Sequence, residues 1–398
     1  MKKLTAFSLS LCLCVPAVCS FASCSQSSND GDDQKFGLVT PAMPDSPSEG
    51  LEYELNEDGT AYIFNGVGSC VEKNIRIADE YNGLPVVKIA EGAFNMAIET
   101  VSVTVGKNIA EIGYDAFSNL TTVQAFFITE GNTAYKITDD SLYTADGSVL
   151  IRYAVDSSRT SYTVPETVIE IKEQAFNGCD YLTSVTIPEG VEIIGKGSFY
   201  NCNQLTTIHI PASVTSLGTP LIKCGSGAQI SEISVAEGNT AYKSVEGVLY
   251  TKDGKELLEY PVAKKMELLT VPDGVEIIKS GAFSSCEGLK GIVLPMTVRT
   301  IQNSAFAECS GLKSVELTFG IETIEWWAFG NCTELRYVKM VMSLANIGDT
   351  AFSGCTKLTQ MSYDGTKSVW EMFYNNAEWG KEIPLEKVIC TDEEIIYN

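Results

Sequence analysis

Histidine is nearly missing from this chain: one residue, His209, among 398. Every Ser-His or Cys-His nucleophile pair would have to use it. No G-x-S-x-G stretch occurs either. Carboxylates are numerous but scattered, and a pair assembled in space from distant segments, as in a glycosidase, leaves no mark in sequence. Catalysis is therefore not expected. Positive charge is the second shortage. The 28 Lys and Arg face 51 Asp and Glu, a formal charge of −23, and no basic cluster stands out. Nucleic acid is thereby excluded as a partner, since a polyphosphate needs clustered cations. Acidity of this size keeps a chain soluble and self-repelling. Long apolar runs are scarce too. The one at the start, "LTAFSLSLCLCVPAVCSFA", is short for a membrane span and is interrupted by Pro16.

That opening stretch follows Lys2 and Lys3 and ends in small residues before Cys24. It reads as a bacterial export signal over 1–23. "FASC", Phe21 to Cys24, resembles a lipobox, in which the cysteine becomes the lipidated first residue; Phe21 departs from the usual aliphatic residue. Cleavage would remove two lysines and no acid, taking the charge to about −25. Residues 24–50, "SQSSNDGDDQ" and then "TPAMPDSPSEG", lack a core-forming period and are expected to be a tether. "NDGDD" lacks the spaced acids and distal Glu of a calcium loop.

Self-similarity dominates the remainder. Ala-Phe recurs at 93/94, 116/117, 175/176, 282/283, 305/306, 328/329 and 351/352, with Ser198-Phe199 as a variant, and the step within each uninterrupted run is 23. Leucines at 182, 205, 289, 312, 335 and 358 keep the same interval, as do V-x-x-I segments such as "VIEI", "VEII" and "IETI". In the unit Leu182–Leu205, alternation along an extended stretch turns Val185 and Ile187 inward and Thr186 outward. One such unit is too small to bury its own apolar face, so neighbours must stack and pair strands in parallel.

These units resemble the BspA-like leucine-rich repeats of exported bacterial surface proteins, whose consensus reads A-F-x-x-C-x-x-L-x-x-V-x-I-P. The resemblance spans about residues 51–398. It implies a β-rich leucine-rich-repeat solenoid of the α/β type, with short parallel strands and short helical turns. The expected divisions are an N-terminal cap (51–84), the solenoid (85–362) and a C-terminal cap (363–398). Two further segments, 130–153 and 237–260, lie 107 residues apart, and each is predicted to hold a hairpin, turning at Asp146-Gly147 and Asp253-Gly254. Asp58-Gly59 marks a similar turn in the N-terminal cap.

Two chemical motifs dissolve in the repeat. "GVEIIGKG" (190–197) nearly fits a phosphate loop, but it ends in Gly197 where a hydroxyl is needed. Its counterpart 274–281 reads "GVEIIKSG". Cysteines at 179, 202, 286, 309, 332 and 355 suggest a metal or disulfide ladder. Zinc needs converging ligands, whereas stacked turns set sulfurs in a line. A relaxed disulfide needs Cβ atoms about 3.8 Å apart, closer than stacked turns provide. The equivalent positions Ala97 and Leu120 indicate an apolar core slot. Buried thiols are expected, with disulfides the alternative; whether Cys70 and Cys390 pair is open. No cofactor is expected.

The same row comparison singles out the surface. Trp326 stands where other turns have Lys196, Ser280, Asn303 and Asp349; Trp327 stands where they have Gly197, Gly281, Ser304 and Thr350. Tyr337 replaces Ser184, Thr207, Gly291, Ser314 and Gln360. These three are the candidate ligand contacts. For the tryptophans the alternative is packing over a neighbouring turn or the C-terminal cap. The expected role is adhesion: a solenoid anchored in the outer membrane through a lipid on Cys24 and exposed on the cell, binding an extracellular protein or glycan. Capture of glycan or peptide for an uptake system is the alternative, and a passive scaffold the third possibility.

Overall fold

A computed structural model describes residues 41–155, 158–225, 227–374, 379 and 383–397. Its body is a leucine-rich-repeat solenoid. Each full turn contributes one strand from the V-x-I segment and a shorter one from V-x-x-I. In the last array the V-x-I strands Leu268–Thr270, Gly291–Val293, Ser314–Glu316, Tyr337–Met340 and Gln360–Tyr363 lie side by side in parallel. The V-x-x-I strands form a second parallel sheet, through Ile277–Ile278, Thr300–Ile301, Thr323–Ile324 and Asn346–Ile347. Burial follows the pleat: Val315 is buried between the exposed Ser314 and Glu316.

The A-F-x-x-C segments close each turn. They are runs of tight turns, such as Phe306 C=O accepting from Cys309 N–H, rather than α-helix. Among the described residues the one α-helix is Lys367–Tyr374. Phenylalanines of successive turns stack almost coplanar, with centroids 5.0 Å apart for Phe306–Phe329 and 5.2 Å for Phe329–Phe352. That spacing matches the separation of paired strands, so one side chain per turn sets the pitch.

Both ends are closed. At the start, Glu52–Leu55 and Tyr62–Gly66 form an antiparallel pair turning at Asp58-Gly59, and Tyr62–Gly66 joins Leu84–Ile89 in parallel. At the far end Lys387–Ile389 extends the sheet in parallel and Glu394–Ile396 turns back against it. Trp370 and Trp379 are buried there, Trp379 lying 6.0 Å from the last stacked ring, Phe352. The described end of the expected tether is docked, not free. Ser102 Oγ donates to Ala42 C=O (2.8 Å), Arg76 Nη1 to Pro44 C=O (2.8 Å), and Ser48 N–H to Arg76 C=O (3.0 Å).

The two insertions hold more than the predicted hairpin. Each is a three-stranded antiparallel meander: Tyr135–Thr138, Ser141–Thr144 and Val149–Arg152, then Tyr242–Val245, Val248–Thr251 and Glu256–Glu259. The extra turns are Asp139-Asp140 and Glu246-Gly247, with both residues left-handed as a two-residue hairpin loop demands. Asn239 ties the second meander to the turn before it. Its Nδ2 donates to Pro211 and Val214 carbonyls (2.8 and 2.9 Å) and its Oδ1 accepts from Ala241 and Tyr242 N–H (2.9 and 2.7 Å). Asn132 makes the same four bonds in the first.

Equivalent buried positions at the meander ends hold a basic and an acidic residue. Arg152 donates to the carbonyls of Leu120 and Asn177 (both 2.6 Å) and to that of Gln174. Glu259 accepts from Leu221 N–H at 2.8 Å. Burial pushes its carboxyl well above the usual range, against the pull of the Leu221 and Ile222 amides.

Candidate functional site

The cysteine ladder is part of the core. Cys179, Cys202, Cys286, Cys309, Cys332 and Cys355 are buried free thiols, and Cys70 and Cys390 are free as well. Burial drives the thiols of Cys202, Cys286 and Cys332 well above their ordinary value, and that of Cys224 to about 12. They stay protonated, and the proton has a partner. Cys309 Sγ donates to Phe283 C=O at 3.0 Å, and Cys332 and Cys355 donate to Phe306 and Phe329 C=O at 3.1 Å. Each carbonyl also accepts the N–H of its own turn's cysteine. The thiol thus fills an apolar slot and occupies the second lone pair of a buried carbonyl, which Ala97 and Leu120 cannot do.

Other expected positions fall on the surface. His209 is exposed, with Nδ1 2.9 Å from Ser234 Oγ. "GVEIIGKG" spans the V-x-x-I strand Ile193–Ile194 and the corner after it, so it is no phosphate loop. Among the described residues no group of three or more His, Cys, Asp and Glu is placed to hold a metal ion. Cys24 and the acidic tract behind it lie outside the described residues.

The tryptophan pair divides its roles. Both residues occupy the corner after Thr323–Ile324, with ring centroids 5.7 Å apart and planes at 36°. Trp327 is half-buried because its indole lies over Gly330, where any Cβ would collide with the ring. Tyr200 reaches over Gly197 in the reciprocal way, so the corner accepts a ring from either side when glycine faces it. Trp327 also has φ +54°, in the left-handed region occupied here by Gly197, Gly281 and Ser304. A bulky residue there is an outlier costing about 1–2 kcal/mol. Trp326, by contrast, is 54% exposed. Tyr337 lies half-buried on the outward face of the V-x-I sheet, its hydroxyl 2.6 Å from Ser362 Oγ.

A third set was missed in the sequence. At the opposite corner, just after the V-x-I strand, Met296, Phe319 and Met342 stand at the 23-residue interval and are 66, 57 and 53% exposed. Equivalent positions in other turns are Lys107, Glu166, Glu189, Ala212 and Asp273. The row comparison that isolated the tryptophans would have found them. In-register stacking holds this corner together, with Thr318 Oγ1 donating to Pro295 C=O at 3.1 Å. The three side chains therefore line up on successive turns. Val293 on the neighbouring strand is exposed as well. The turns from 291 to 342 thus carry apolar and aromatic groups at both corners.

The family model described as the BspA type leucine-rich repeat region matches six copies over residues 67–145, 153–244 and 262–378. Among solved structures, the pneumococcal vaccine antigen PcpA is similar at 22% identity and TM-score 0.52, covering 82% of this chain and 83% of its own. A leucine-rich cell surface protein from Faecalibacterium prausnitzii is similar at 25% identity and TM-score 0.50, covering 82% and 96%. No curated protein is significantly similar to the chain. Repeat period, buried ladders and family match agree: the chain belongs to the BspA-type leucine-rich repeat family.

Proposed function

We propose that this protein is a surface adhesin that grips an extracellular protein through the turns spanning residues 291–342. One observation carries the proposal. Large apolar side chains are held in water at corners where equivalent turns place polar or small residues, and beside the exposed Trp326 the half-buried Trp327 occupies a backbone position that penalises it. Exposed Trp, Phe and Met on a rigid frame are the composition of a binding patch. Each of Met296, Phe319 and Met342 can contribute about 1.5–3 kcal/mol when fully covered. The solvent-facing row of the V-x-I sheet, with Glu316 and Lys339 of opposite sign, supplies a polar surround.

A surface role also fits the likeness to the Faecalibacterium prausnitzii cell surface protein and the export signal with Cys24 behind it. Cys24 would be acylated and anchor the chain in the outer membrane, the solenoid reaching outward. Labelled fatty acid should then enter the wild type and not Cys24→Ala; equal labelling sinks the anchor.

Binding is tested on a panel of immobilised extracellular-matrix proteins. Wild type should bind at least one, Trp326→Ala/Trp327→Ala and Met296→Glu/Phe319→Glu should lose at least about tenfold in affinity, and the surface control Thr186→Ala should not. Binding that survives both double changes moves the interface elsewhere, and an empty panel favours a passive scaffold.

A further inference from the structure

The two insertions break the V-x-x-I sheet in the same way and seal it differently. Each break lies between the last strand of one stack and the third strand of the meander: Glu111–Ile112 and Val149–Arg152 at the first, Ser216–Leu217 and Glu256–Glu259 at the second. The second break is plugged. Tyr242 Oη accepts from Leu217 N–H at 2.9 Å and donates to Thr215 C=O at 3.4 Å, occupying the free strand edge. Pro220 packs on Gly281, where a Cβ would come within 2.9 Å of its ring.

The first break is open. Tyr135, the counterpart of Tyr242, makes no such bond to Glu111–Ile112. Tyr114-Asp115 stands where the second break has Thr219-Pro220. What remains is a cavity of about 380 Å³ lined by Tyr114, Asp115, Tyr135, Arg152, Lys172 and Glu173 over an apolar floor that includes Ile112 and Ile151.

Three features of this lining define its ligand. It holds two carboxylates, Asp115 and Glu173, beside two cations, Arg152 and Lys172, that are engaged elsewhere. Lys172 is held by Glu170 at 2.7 Å, and Arg152 is committed to carbonyls. Asp115 and Glu173 are left as acceptors, so the cleft disfavours an anion and suits a ligand that brings hydroxyl donors. Next, the carboxylates of Asp115 and Glu173 are partly exposed in the cleft, whereas Arg152 is 1% exposed and spent on carbonyls. A ligand hydroxyl can donate to either carboxylate. Finally, Tyr114 presents a ring 55% exposed at the same cavity.

We propose that the cleft between Glu111–Ile112 and Val149–Arg152 is a binding site for a neutral sugar unit, its ring against Tyr114 and its hydroxyls on Asp115 and Glu173. A volume of this size falls at the small end of ligand pockets, suited to one or two pyranose rings. The site is separate from the proposed protein-binding turns and does not depend on them.

The test is calorimetric titration of the full chain with a panel of neutral hexoses, N-acetylhexosamines and their disaccharides, beside a triglycine control. At least one sugar should bind saturably and raise the melting temperature. Tyr114→Ala should weaken that sugar by about tenfold and Asp115→Asn should also weaken it, both with the melting temperature of the free protein kept. Trp326→Ala/Trp327→Ala should bind the sugar as wild type does, whatever it does to the matrix panel. No sugar bound, sugar binding unchanged in a folded Tyr114→Ala, or triglycine bound in place of sugar would each overturn the assignment.

Discussion

The turns between the two insertions and the turns after the second have one interior and two exteriors. Phe176 and Phe199 stack at 5.4 Å with planes 6° apart, as Phe306 and Phe329 do at 5.0 Å and 2°. Cys202 and Cys332 place the same thiol on the same carbonyl at 3.1 Å. Outside, the earlier turns show Glu166, Glu189 and Ala212 at one corner and Lys196-Gly197 at the other; the later turns show Met296, Phe319 and Met342, then Trp326-Trp327. A solenoid separates the two tasks. Inward side chains set the stacking and recur, whereas outward ones are free to differ. Exposed apolar groups and a left-handed tryptophan do nothing for stacking, which is why we assign them to a partner.

The shared interior can be broken most severely at the rings. Phe199→Ala and Phe306→Ala should each cost about 3–5 kcal/mol in urea unfolding; a cost confined to one array would show that the interiors are not equivalent. Next comes the buried basic and acidic pair. Arg152→Ala strands the carbonyls of Leu120, Gln174 and Asn177 and should cost about 3 kcal/mol or more.

Glu259→Gln behaves differently because its folded carboxyl is raised. Below a pH of about 4.5 that carboxyl is protonated in both states. As pH rises further the unfolded chain ionises first, and the wild type loses stability until the folded value is passed. The melting temperature of Glu259→Gln relative to wild type should therefore climb with pH above 4.5, and a flat difference would contradict the buried assignment.

Smaller effects sharpen the contrast. Cys309→Ala should cost about 1 kcal/mol, the worth of one hydrogen bond plus a small volume, leaving the turn like the one around Ala97. Trp327→Gly should leave stability unchanged or raised by up to about 1 kcal/mol, by relieving a positive φ, while partner binding falls. A clear drop in stability would mean that Trp327 serves the fold.

Much of this was legible because a repeat prints its core many times. Ala-Phe, Leu and V-x-x-I at one interval specified inward faces and stacking without any long-range inference. The second hairpin turn of each meander escaped because Asp139-Asp140 looks like any acidic pair until both residues are seen left-handed. The bond from the thiols of Cys202, Cys309, Cys332 and Cys355 to a carbonyl 26 residues back depends on backbone direction, which spacing does not encode. Docking of residues 42–48 was hidden by a composition that looks like a linker. The sugar cleft was least visible, because it exists only through the way the first meander seats against Glu111–Ile112. The corner row Met296, Phe319 and Met342 is another matter. It was present in the sequence as a 23-residue register, and needed only a comparison of the residue after the V-x-I strand from turn to turn.

The assignment of binding to the later turns is tested most directly by hydrogen–deuterium exchange of the full chain, free and saturated with a matrix protein that it binds. Protection should appear in residues 291–342, and the matching surface of 184–217 should exchange as in the free protein. Protection centred on 184–217, or spread evenly along both arrays, would contradict it.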